Sequence, residues 1–417
     1  MQEKRLNLTF TSLGHFTNDS TSYFYPVLIT YYEAFPGANY LLLGSMVIIF
    51  NLISGFLSTP VASYADRKNN HSAMMALGIF ILGISVILYG LPFIFRSELT
   101  PLITIATVFL GIGQAFYHPL GAAIISRSYG RSAPPAMGLN GSMGSLGRAL
   151  IPTIIVFLLA TFGDFTGMIV YAAYILIASF AIFAGLSGFR KFTWRGASQE
   201  QKRKAQKQSD DIPEGSSSRY MTVLYILTAA VFIRSLFLMG TTTFIPTYLT
   251  DEFSSKTIMS YIVTLGLISP VFGQPLFGRL TSLKGGRYAV IVSFIISTIF
   301  FGLFILITGN YVLTTIFYFC YAFGAYSGFP IFLGYVGQIV PPSVLGKSNG
   351  LVWGIGQTVG GAVGAAVITG LVVITNVKLS IDLMMIFAVA FPPSVIIIPT
   401  TRCLSFFAQP LRLFIAT

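Results

Sequence analysis

Five ionisable residues stand inside otherwise apolar stretches of this 417-residue chain: His15, Asp19, His118, Arg148 and Arg234. A charged side chain near a bilayer centre costs roughly 2.5 to 3.5 kcal/mol on insertion scales, so such residues face a partner or a wet cavity. His15 and Asp19 are four apart and share one helix face, with Asn18 beside them. A carboxyl group and an imidazole in one low-dielectric site can exchange a proton. Two readings stay open here: Asp19 with His15 takes up and releases a proton, or Asp19 is permanently ionised in a salt bridge while His15 bonds a carbonyl. Two ligands are too few for a metal, and no metal site is expected. His118 precedes Pro119 in Gly111-x-Gly113-Gln114-x-Phe116-Tyr117-His118-Pro119. It either binds protons at a proline bend or packs as a hydrogen-bonded helix residue.

A guanidinium stays protonated in proteins, so Arg148 and Arg234 cannot escape burial by neutralising. If Asp19 compensates one of them, the other lacks an acidic partner. Carbonyl oxygens and water can supply it, or a substrate can bring its own anionic group, for which the planar fork suits carboxylate, phosphate or phosphonate. Arg234 and Arg148 are therefore expected to bind an anion, with Asn18, Tyr117 and Gln357 as polar neighbours. The alternative for Arg148 is structural pairing with Asp19 across two helices.

The elements that must hold these groups are membrane spans. Hydrophobic residues make up 54% of the chain and charged residues 9%, against about 25% charged in a soluble domain. Twelve apolar stretches are long enough to cross a bilayer, at about 7–31, 40–63, 72–94, 102–125, 135–162, 167–189, 221–249, 258–281, 288–308, 311–335, 346–374 and 380–399. The net charge of +12 is topological: of 25 Lys and Arg, twenty lie at the termini or in every second loop, and only Arg96, Lys256 and Lys378 lie in the opposite loops. This distribution places both termini in the cytoplasm and excludes nucleic acid as a partner. Cys320 and Cys403 are too few for a disulfide framework.

Residues 190–219 change composition abruptly and read as a solvated linker between residues 1–189 and 220–400, with residues 401–417 as a cytoplasmic tail. Across the linker the chain repeats itself. Phe24-x-Pro26-x3-Thr30 returns as Phe244-x-Pro246-x3-Thr250, Gly113-x5-Pro119 as Gly324-x5-Pro330, and Pro134-Pro135 with Asn140-Gly141 and Gly147 as Pro341-Pro342 with Asn349-Gly350 and Gly356. The separations of 207 to 220 residues, in chain order, indicate a duplicated six-helix unit. Transporters built on such repeats hold their site near the midplane between the halves.

The loop Ala62-Ser63-Tyr64-Ala65-Asp66-Arg67-Lys68-Asn69 and its later counterpart Gly278-Arg279 to Arg287 resemble the signature loops of the major facilitator superfamily. The resemblance implies an all-α membrane protein of twelve transmembrane helices in two pseudo-symmetric bundles, and a gating latch in which Asp66, with Arg67 and Arg287, meets the positive end of the eleventh helix. Within that superfamily, Gly14-His15-x2-Asn18-Asp19, the Gly111 to Pro119 run, and Arg234 followed by Phe244-x-Pro246-x-Tyr248-Leu249 are similar to the fosmidomycin-resistance group of exporters. That likeness implies proton-coupled efflux by antiport, including multidrug resistance. The sequence departs from the group's pattern at Leu120-Gly121, where an acidic residue often follows the His-Pro, and at Gly147-Arg148, where many antiporters have Gly-Pro.

The combined expectation is a secondary transporter in the cytoplasmic membrane, working as a monomer among lipids. Arg234 and Arg148 bind a small organic anion, and Asp19 with His15 or His118 couples protons. Proton-linked uptake of a sugar phosphate or carboxylate is the alternative. No cofactor is expected, and no HExxH, GxSxG or GxxxxGK[ST] motif supports an enzyme.

Overall fold

The computed structural model describes residues 2–129, 133–191, 217–340, 348 and 351–389. All regular structure among them is helical. The first half comprises α1 (Gln2–Tyr32), α2 (Tyr40–Lys68), α3 (His71–Gly90), α4 (Leu99–Tyr129), α5 (Ala133–Phe162) and α6 (Asp164–Gly185). The second half comprises α7 (Ser217–Phe253), α8 (Lys256–Lys284), α9 (Gly286–Leu306), α10 (Tyr311–Ala325), α11 (Gly328–Ile339), α12 (Gly360–Ile374) and α13 (Val377–Leu383). Among the described residues nine helices are long and apolar enough to cross a membrane. The charged linker and the tail expected at residues 401–417 lie outside the described residues, apart from the linker's ends.

Helix ends follow local chemistry. Asn39, Ser255, Asn310 and Asn376 each accept the backbone N–H three residues on, in the first turn of the following helix, the capping that satisfies orphan donors at a helix start. Gly163 and Gly285 turn the chain between consecutive spans with φ of 83° and 89°, a region open to glycine and costly for other residues.

The repeat read from the sequence reappears as repeated packing. The contact of α1 with α5 is matched by α7 with α12, that of α2 with α4 by α8 with α10, and that of α3 with α4 by α9 with α10. The halves meet along α5 with α8 and α2 with α12. Glycines let these backbones approach. A Cβ on Gly147 of α5 would strike the Phe16 carbonyl of α1, and one on Gly364 of α12 would strike the Leu236 carbonyl of α7. Small residues serve this purpose where lipid supplies no hydrophobic drive for helix association.

Two spans differ from the continuous helices expected. The stretch expected at 311–335 is broken at Tyr326–Ser327 into α10 and α11, and Val352–Val359 winds as a π-helix before α12. By contrast, α4 stays helical through Pro119. Helix α1 runs from the near end of the bundle, where it begins, to the far end, where it finishes at Tyr32.

Candidate functional site

Asp19 is the hub of the N-terminal half. Its carboxylate Oδ2 lies 3.4 Å from His15 Nε2 and 3.5 Å from Arg148 Nη2, and its Oδ1 lies 3.5 Å from His118 Nε2. Asn18 Nδ2 donates to Oδ1 at 3.1 Å. Three helices therefore converge: α1 brings His15, Asn18 and Asp19, α4 brings His118, and α5 brings Arg148. Gly144 of α5 makes room for them, since a Cβ there would strike the His15 ring and come within 2.8 Å of Asp19 Oδ2. The Asp19 side chain is 4% exposed, while Arg148 is 33% and His118 59% exposed. A buried carboxylate is thus touched by a guanidinium and an imidazole that are themselves accessible.

Supporting groups fix the cluster. His15 Nδ1 donates to Asn140 Oδ1 at 2.8 Å, and its ring lies 4.7 Å from Tyr117 and 5.4 Å, edge-on, from His118. The Tyr117 hydroxyl donates to the Thr11 carbonyl at 2.8 Å and is buried. Arg148 Nη2 reaches Ser145 Oγ at 3.5 Å, and that hydroxyl accepts from Gln274 Nε2 of α8 at 2.8 Å. The charged cluster is thus tied to the other half through one hydroxyl. Asn140, Ser145 and Gln274 were not singled out as site residues by the sequence reading; the available signal was polar side chains inside apolar spans.

His15, Asp19 and His118 offer three ligand atoms within 4.8 Å of one another, one more than the helical spacing provides. The donor set does not fit a divalent cation well, because the Arg148 guanidinium already stands on the only carboxylate of the group and would be driven against the ion.

Arg234 has a different environment. It sits in the break between α10 and α11, donating through Nη2 to the Ala325 carbonyl and through Nη1 to Gln357 Oε1 at 3.2 Å. Its guanidinium carbon lies 5.1 Å from the centroid of the Phe332 ring. Ser235 Oγ donates to the same Gln357 oxygen at 2.9 Å. The residue is 5% exposed, and its Nε has no partner in the structure. A cation at the carboxyl end of α10 complements the helix dipole, so the broken span and the π segment carrying Gln357 both converge on Arg234. Among the described residues no carboxylate pairs with it. Tyr326, at the break, lies within electrostatic reach of both Arg148 and Arg234, and its hydroxyl bonds Thr242 Oγ1 at 2.6 Å.

The expected substrate-binding residues therefore divide. Arg148 faces accessible space, and Gln357 and Arg234 engage one another. Asn18 and Tyr117 are buried behind Asp19 and His15, with Asn18 Oδ1 unpartnered. The residues expected to form a latch lie at the near end. Asp66 Oδ1 accepts from Arg127 Nη2 at 2.7 Å and lies 2.9 Å from His71 Nε2. Arg67 is exposed and Arg287 partly buried. The expected partner of Asp66, the start of the eleventh span near 346, lies outside the described residues.

A family model described as Major Facilitator Superfamily matches residues 11–365 and, in a second match, 227–401. An uncharacterized MFS-type transporter, YfnC of Bacillus subtilis (strain 168), is 24% identical over 159 residues, 38% of this chain. The aligned stretch spans 37% of that relative's length. A solved structure of a bacterial homologue of the human drug peptide transporters PepT1 and PepT2 superposes with a TM-score of 0.68 at 13% identity, covering 97% of this chain and 100% of the other.

Proposed function

Since the chain belongs to the major facilitator superfamily, we propose that it is a proton-linked secondary transporter of a small organic anion, working by rocking of its two halves about the cavity beside Asp19 and Arg148. The observation that carries this reading is the buried carboxylate of Asp19 held between a partly accessible guanidinium and two imidazoles. With Asn140 Oδ1 as acceptor, His15 keeps a proton on Nδ1. Its Nε2 then meets Asp19 favourably only when one more proton lies between them, on the ring or on the carboxyl group. The pair is thus suited to hold a transferable proton.

The same pair bears on direction. An anion entering the cavity competes with Asp19 for Arg148, and a carboxylate that loses its guanidinium gains proton affinity. Proton and anion then assist each other's binding, a reciprocity required by linkage. This favours movement of both in one direction, the uptake alternative, over the antiport that the fosmidomycin-resistance likeness implies. Antiport would need a cargo that excludes the proton, such as a cation bound at Asp19 itself. Arg234 is assigned the role of holding the broken tenth span, and Arg148 that of the anion ligand. The distribution of Lys and Arg supports cytoplasmic termini in the cytoplasmic membrane, with the Asp66, Arg67 and Arg287 loops as the near-end latch.

The test is purified protein in liposomes under an imposed pH gradient, offered carboxylates, phosphonates, sugar phosphates and cationic drugs. The expected outcome is anion accumulation on the alkaline side, lost in Arg148→Gln and no longer driven by pH in Asp19→Asn. Accumulation of cationic drugs on the acidic side, unchanged in Arg148→Gln, would overturn the proposal.

A further inference from the structure

At the far end the two halves close on a small charged seam. Lys256, the first residue of α8, places its ammonium 3.7 Å from the centroid of the Tyr31 ring on α1, a cation–π contact between halves. Tyr40 at the start of α2 donates its hydroxyl to Glu33 Oε2 at 3.0 Å. Its ring meets Phe244 of α7 edge-on at 5.7 Å. Glu33, half-buried in the connection between α1 and α2, stands within electrostatic reach of Lys256 and of Asp251 in the last turn of α7. Lys256 also feels Asp164, the first residue of α6. One ammonium therefore faces two carboxylates, and one of these, Glu33, has a second acid as its neighbour.

We propose that Glu33 is a pH-responsive strut in this seam: its protonated form favours the closed far end, and its ionised form favours opening. Closing the seam takes the carboxylate out of water and sets it near Asp251. The Tyr40 hydroxyl and the Lys256 ammonium offset that cost only in part. Burial, the largest influence, pushes the Glu33 carboxyl group up from its ordinary value in the closed seam. In an opened seam the group returns to water and to its ordinary range. The state with the higher proton affinity is the one that protonation stabilises. The closed seam is accordingly favoured as pH falls through the raised value and weakened as pH rises above it. Lys256 acts in the opposite sense, since without it Glu33 and Asp164 lose their counter-charge and the Tyr31 contact is lost.

The prediction concerns the seam alone and does not require the anion or the direction of transport proposed above. Spin labels on Ala34→Cys and Thr257→Cys, in a Cys320→Ser, Cys403→Ser background of the full chain, report the distance across it in detergent, where both faces share one pH. The short-distance population is expected to dominate near about pH 5 and to shrink towards about pH 8. It should stay dominant at both values in Glu33→Gln, keep its pH response in Glu33→Asp, and fall at about pH 8 in Lys256→Met. A pH-independent distribution in the unmodified seam, or the same pH response surviving in Glu33→Gln, would overturn the proposal. A melting curve of each variant separates an altered seam from an unfolded protein.

Discussion

The Asp19 cluster makes a prediction about stability that separates charge pairing from packing. Removing one partner of a buried ion pair costs about 3 to 5 kcal/mol when the other charge is left uncompensated, whereas removing both costs far less. Arg148→Gln is expected to lower the melting temperature of the purified protein more than the Asp19→Asn, Arg148→Gln double variant does. Asp19→Asn alone completes the cycle, and losses that simply add would mean that the 3.5 Å contact carries no net coupling. The pairing of His15 with Asp19 was legible because it lies within one helix at a spacing of four. Pairing of Arg148 with Asp19 was legible only as one of two alternatives, and the arrival of His118 at the same carboxylate was not, because these residues come from α5 and α4, and helical periodicity says nothing about which neighbouring helix a face meets. For Arg234 the sequence showed a buried cation without an acidic partner. Carbonyl oxygens are one of the partners it leaves open, but which carbonyl is not legible, because a break in a helix 91 residues later provides it.

At the scale of elements, α1 and α5 are held at a separation set by Gly144 and Gly147. A methyl group at Gly147 meets the Phe16 carbonyl, a backbone atom that cannot turn aside. Overpacking of this kind costs typically 1 to 3 kcal/mol. Gly147→Ala is therefore expected to melt earlier than the unmodified protein. Gly138→Ala, which adds its methyl to open space on the same helix, should leave the transition unchanged. If both behave alike, the α1–α5 contact is looser than described. Most span boundaries could be read directly, because length and apolarity set them. The break at Tyr326–Ser327 and the π segment at Val352–Val359 could not be read. Both are local departures from helix geometry stabilised by tertiary partners, Arg234 for the one and its bonds to Gln357 for the other, and such irregular backbone is tolerated at membrane depth where protein or a cavity surrounds it.

At the scale of the whole molecule, duplication explains why the packing of α1 on α5, of α2 on α4 and of α3 on α4 has counterparts in the other half. The first half carries the carboxylate and imidazoles, and the second carries the broken span and a guanidinium held by neutral acceptors. Movement between them must loosen the contacts that join them. One lies between α5 and α8, where Thr153 Oγ1 is 2.8 Å from Thr264 Oγ1 and 3.2 Å from the Ser260 carbonyl. Another joins the Tyr23 and Tyr318 hydroxyls at 3.3 Å. Side chains this close on facing helices suit a disulfide, which needs Cβ atoms about 3.5 to 4.5 Å apart. Thr153→Cys with Thr264→Cys, in a background lacking Cys320 and Cys403, is expected to cross-link under mild oxidation and to stop counterflow in liposomes, with full recovery on reduction. Rapid cross-linking with undiminished flux would mean that α5 and α8 travel together through the cycle, and that the halves pivot about this contact instead of parting at it.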